Sequence, residues 1–133
     1  MAHHPAILII DDSLSALAHM YSALRNAGYR RIESAMDWSE VRGALPRGPY
    51  DLIVIDVNLP GMLSGDILAA QLRKDQRTAA AKIFFHSGLR ERDLEALARR
   101  AHADGWMVKS DGVALAARVK ELVPLPPEEP DRT

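Results

Sequence analysis

Apolar residues in this chain fall into short unbroken runs, separated by segments in which they recur at helical spacing. Ala6-Ile7-Leu8-Ile9-Ile10 is continuous and β-branched, as a strand buried on both faces of a parallel sheet would be. It stops at Asp11-Asp12. A helix is expected from about Ser13 to Ala27, with Leu14, Leu17, Ala18, Tyr21 and Leu24 on one face and Gly28 closing it. Arg31 to Ala35 reads as a second strand. Asp37-Trp38-Ser39-Glu40 has capping-box spacing and opens a short helix to about Leu45, where Pro46, Gly48 and Pro49 break the chain.

Leu52-Ile53-Val54-Ile55 is the next apolar run and ends at Asp56. A loop with Pro60, Gly61 and Gly65 leads to a helix over Gly65 to Lys74. Lys82 to His86 is a strand ending at Ser87-Gly88. Arg90 to His102 is a helix with Leu94, Leu97 and Ala98 inward. Gly105 to Val108 is a last strand ending at Lys109, and Gly112 to Val123 a last helix. Alternation of this kind predicts an α/β fold, a doubly wound five-stranded parallel sheet in the flavodoxin-like (α/β)5 order 2-1-3-4-5. One domain, 1–123, is expected, followed by a flexible Pro-rich tail over 124–133, too short to form an output domain.

Bulk composition narrows the function. The chain has 133 residues, a formal net charge of −1 and no cysteine. Without a basic surplus, direct nucleic-acid binding is not expected. The absence of cysteine removes disulfides and thiolate catalysis and fits a cytoplasmic address. The Ala6–Ile10 run is too short to span a membrane. His3 and His4 read as a loose polar start to the chain.

In an open parallel sheet, ligands bind outside the carboxyl ends of the strands. The residues there are Asp11 and Asp12, Asp56, Ser87 and Lys109. Three neighbouring carboxylates repel one another, and a hard divalent cation such as Mg2+ relieves the conflict while leaving room for a phosphate oxygen. An ammonium and a hydroxyl could hold other phosphoryl oxygens, and a carboxylate can act as the nucleophile. Taken singly, each residue also has a simpler role: Asp12 as a helix N-cap, Ser87 as a cap, Lys109 as a solvated side chain. Together they point to phosphoryl transfer onto Asp56. His86 borders Ser87 but reads as a packing residue.

The ordered set Ile9-Ile10-Asp11-Asp12-Ser13, Asp51 to Met62, His86-Ser87-Gly88 and Gly105 to Lys109 resembles the receiver domain of two-component response regulators, including the chemotaxis-type single-domain regulators. The resemblance runs from Ala6 to about Val123. It implies that Asp56 is the phosphoacceptor and that Asp12, Asp56 and the backbone carbonyl of Asn58 ligate Mg2+, with Asp11 acting through water. Ser87 matches the switch hydroxyl, Lys109 the pocket lysine and Trp106 the aromatic switch position. The implied partners are a histidine kinase or phosphotransfer protein and a downstream protein target. Signalling would pass through the face made by the fourth helix, fifth strand and fifth helix, roughly Arg90 to Val123, with a phosphorylation-dependent homodimer as one outcome. Such a protein is not an enzyme beyond its own phosphorylation and dephosphorylation. An apolar Leu89 implies slow loss of the phosphoryl group.

Three positions depart from the family pattern. Ser110 stands where a proline with a cis peptide usually follows the pocket lysine. The loop Pro60 to Gly65 is one residue longer than usual, with Leu63 as the insertion. Trp106 is bulkier than the usual switch ring. Two other functions compete. A pseudo-receiver would use the fold as a phosphorylation-independent binding module. A haloacid-dehalogenase-type phosphatase would need a second Asp two residues after its nucleophile, where Asp56 has Asn58 and Asp11 has Ser13.

Overall fold

The computed structural model describes residues 3–57 and 64–127. Ten regular elements alternate: β1 (Ala6–Ile10), α1 (Leu14–Ala27), β2 (Arg31–Ala35), α2 (Trp38–Ala44), β3 (Leu52–Ile55), α3 (Gly65–Lys74), β4 (Lys82–Ser87), α4 (Glu91–Ala101), β5 (Gly105–Val108) and α5 (Gly112–Leu122). A 3-10 turn over Leu45–Arg47 follows α2. The five strands pair in parallel in the order β2-β1-β3-β4-β5, as the apolar runs predict.

Strand side chains alternate between two cores. Leu8, Ile10, Ile53, Ile55, Ile83 and Phe85 face Val41 of α2, Leu68 and Leu72 of α3 and Leu94 of α4. Ile7, Ile9, Leu52, Val54 and Phe84 face Leu17 and Leu24 of α1 and Leu115 and Val119 of α5. Period-2 alternation in strands that are apolar throughout is what a sheet covered on both faces requires.

Local sequence sets the helix ends. Ser13 caps α1, its Oγ accepting from Ala16 N at 3.2 Å, so Asp12 is not the cap. Asp37 caps α2 through Glu40 N at 2.8 Å, and Glu40 Oε1 returns to Met36 N at 2.8 Å. Gly28 ends α1 at φ +113°, in the left-handed region that favours glycine. The buried stripe of α1 is Leu17, Met20 and Leu24, while Leu14 is 71% and Tyr21 45% exposed, and Ala18 is exposed. The expected face is therefore rotated. On the α5 side of the helix the approach is close: a Cβ on Gly112 would lie 2.6 Å from the Cβ of Ala23. Beyond α5, Tyr29 donates from its hydroxyl to the carbonyl of Val123 at 2.7 Å, and Leu125 packs on the α1–α5 core. The later part of the expected tail, 128–133, lies outside the described residues, as do Asn58 and the Leu63 insertion.

Candidate functional site

The ends of β1, β3 and β5 meet at the carboxyl edge of the sheet. Main-chain bonds just past the strands fix this edge: Asp11 N to Ala35 O at 3.1 Å, Asp56 N to Ile10 O at 2.9 Å and Lys109 N to Ser87 O at 2.8 Å. Asp11 is fully buried, Asp56 is buried and Asp12 is exposed. Carboxylate oxygens of the three lie within 4.8 Å of one another. With Ser13 serving as the α1 cap, Asp12 is left to face solvent at the pocket rim.

Lys109 reaches this cluster from β5. Its Nζ stands 2.8 Å from Asp11 Oδ2 and 2.9 Å from Asp56 Oδ2. The second oxygen of Asp11 accepts from Ser13 N at 3.0 Å, which fixes the carboxylate plane. Burial works against the charged lysine, but hydrogen bonds and charge from Asp11 and Asp56 outweigh it and raise the Lys109 pKa. Among the described residues the one cis peptide bond is Gly48–Pro49, so Lys109–Ser110 is trans. Proline at 110 is therefore not needed to deliver the ammonium.

Ser87 closes β4 and is fully buried; its Oγ accepts from Leu89 N at 3.3 Å. α4 has no side-chain cap, so Ser87 does not cap it. Trp106 is half-buried and packs on the core beneath α4. Val57, directly after Asp56, is buried against the first turn of α3, where a Cβ on Gly65 would overlap its side chain. Sequence alone gave no sign of this packing, which glycine permits because it has no Cβ.

Asp11, Asp12 and Asp56 suit a small hard cation: all three donors are oxygens, and Asp12 leaves a solvent side for water ligands. Asn58, the remaining ligand implied by the resemblance, is outside the described residues.

Residues 7–120 match the response regulator receiver domain family. The chain belongs to that family. Among curated relatives, the chemotaxis protein CheY of Pseudomonas aeruginosa is 31% identical over 103 residues, covering 77% of this chain and 82% of that protein. CheY-3 of Vibrio cholerae is 28% identical over 103 residues, covering 77% of this chain and 78% of its own. The solved chemotaxis response regulator CheY4 of Vibrio cholerae superposes with a TM-score of 0.79 at 23% identity, covering 91% of this chain and all of that one, and supports the fold alone. Receiver domains are signalling modules of two-component systems, and their acidic pockets typically bind Mg2+. No helix of the described residues is long and apolar enough to cross a membrane.

Proposed function

We propose that this receiver domain accepts a phosphoryl group on Asp56 from a histidine kinase or phosphotransfer protein and signals to a downstream protein through altered contacts. The observation that carries this reading is the juxtaposition of three carboxylates within 4.8 Å with an ammonium shared by two of them. Residues 1–123 act as the receiver unit and 124–133 as an appended tail.

Asp56 supplies the nucleophilic oxygen, which bonds to phosphorus as the bond from phosphorus to the donor breaks and the donor atom keeps the electron pair. Asp12 and Asp56, with Asn58, would hold Mg2+ directly and Asp11 through water. When bound, the cation draws charge from the phosphoryl oxygens. Lys109 moves from balancing two carboxylates to holding a phosphoryl oxygen as a point charge. The Ser87 hydroxyl, whose present partner is only the Leu89 amide among the described residues, donates to another oxygen. That shift biases the element containing Trp106 and so the α4–β5–α5 face.

Incubation with labelled acetyl phosphate tests the assignment. Wild-type protein should take up label in a Mg2+-dependent way, and Asp56→Asn should take up none. Stoichiometric labelling of Asp56→Asn would overturn it. Uptake that ignores Mg2+ would overturn the metal assignment.

A further inference from the structure

The two ends of α4 are held in different ways. At the site end the helix starts after Arg90 with no side-chain cap among the described residues. Its link to β4 runs through Ser87, Gly88 and Leu89. There Ser87 Oγ accepts from Leu89 N at 3.3 Å, and a Cβ on Gly88 would meet nothing within 4 Å. A long bond beside open space leaves this end room to move.

The far end is tied by several bonds. His102 closes α4 at φ +54°, in the left-handed region. Its N–H donates to Arg99 O at 3.2 Å, and Ala103 N donates to Ala98 O at 2.9 Å. A residue with a Cβ is disfavoured in that region, so its surroundings must hold it there. Arg73 of α3 does so: its guanidinium donates to the carbonyl of His102 at 2.5 Å, a charge-assisted bond. Arg73 Nε is buried with no partner among the described residues, so the tip of the side chain carries the attachment. α3 is itself firmly seated, with Leu68, Ala69 and Leu72 buried. Two residues past His102, Asp104 fastens the same corner to the sheet. Its N donates to Ile83 O at 2.7 Å, and its Oδ2 accepts from Ile83 N at 2.8 Å. The ion pair between Arg73 and Asp104, at 3.7 Å and partly exposed, adds little.

A helix loose at one end and fastened at the other turns about the fastened end, and hinges are commonly a few residues at an element terminus. We propose that Arg73 is a positioning residue that pins the α4–β5 corner as a pivot, so that movement of Ser87 toward a phosphoryl group swings the site end of α4 while His102 and Asp104 stay in place. This deepens the phosphoryl-transfer reading and rests on it.

Backbone amide NMR of the full chain tests the pivot through chemical shifts and hydrogen exchange. The proteins are wild type, Arg73→Met and Arg73→Lys, each with and without Mg2+ and beryllofluoride as a phosphoryl analogue. In wild type the analogue should shift the amides of Leu89 to Leu94 several-fold more than those of His102 to Asp104. Without the analogue, Arg73→Met should speed exchange at His102, Ala103 and Asp104 by about fivefold, the equivalent of one hydrogen bond. Ile7 to Ile10 of β1, as the control for global stability, should be unchanged. With the analogue, the shifts in Arg73→Met should spread to the corner. Arg73→Lys, which keeps a charged donor, should restore most of the protection. Unchanged exchange at the corner in Arg73→Met would overturn the pin. Equal shifts at the two ends of α4 in wild type would overturn the pivot. If the analogue leaves the signals of Asp56 and Lys109 unmoved, the phosphoryl reading itself fails and the pivot with it.

Discussion

The Lys109 ammonium lies 2.8 Å from an oxygen of Asp11, a carboxylate with no exposure to solvent. The same ammonium lies 2.9 Å from Asp56, so one cation serves two buried acids. Lys109→Met should therefore destabilise the fold by about 1–3 kcal/mol at pH 7, since it strands buried carboxylates instead of removing a surface pair. The folded-state pKa of Lys109 is raised above the ordinary lysine value of 10.5. Its contribution is thus fully present below 10.5 and lost as pH rises through the higher folded value. Urea denaturation of wild type and variant should show a gap at pH 7 that closes in strong alkali.

Gly65→Ala should lower stability by about 1–3 kcal/mol even though alanine favours helix, because the added carbon overlaps Val57. Val57→Ala makes room. The double variant should then lose less than the two single losses combined, and equilibrium denaturation of all four proteins gives the coupling. Strict additivity would show that the two side chains do not meet.

Tyr29→Phe removes the hydroxyl bond to Val123 and should cost about 1 kcal/mol. Burial pushes the Tyr29 pKa up to about 12 from 10.0. The unfolded chain ionises first as pH rises, so stability falls between 10 and about 12. Tyr29→Phe should flatten that part of the alkaline limb in thermal melts.

His86 has the opposite sign. Its folded pKa is lowered to about 4 from 6.5, chiefly by burial, so the unfolded chain takes up a proton first as pH falls. Stability should decline from pH 6.5 down to about 4, by roughly 3 kcal/mol in all. In His86→Leu this acid-side decline should be largely absent. An unchanged acid limb would mean that His86 gains its proton as readily in the fold as outside it.

The strands and their order were legible because β1, β3 and β4 are apolar throughout, which only a doubly covered sheet tolerates. Asp11 and Asp56 were legible for the same reason: a carboxylate that ends such a run must lie at the sheet edge. The buried face of α1 was not. Leu14 and Tyr21 look as apolar as Leu17 and Leu24, and which of them turns inward depends on packing against distant segments such as α5, whose Gly112 meets Ala23. Asp12 and Ser13 are both good caps, and only the geometry separates them. His86 reads as a packing residue, and it is buried; that both its nitrogens lack partners among the described residues depends on the neighbouring helices, which the local sequence does not reveal.

Tyr29 bonding to Val123 and His3 bonding to Asp51 occur at the pole of the sheet where the strands begin. His3 and Val123 therefore lie at the pole opposite Asp12 and Lys109. A protein immobilised on a sensor surface through a group at that pole would stand with Asp12 and Lys109 turned toward the solution, so captured partners would meet the carboxylate pole.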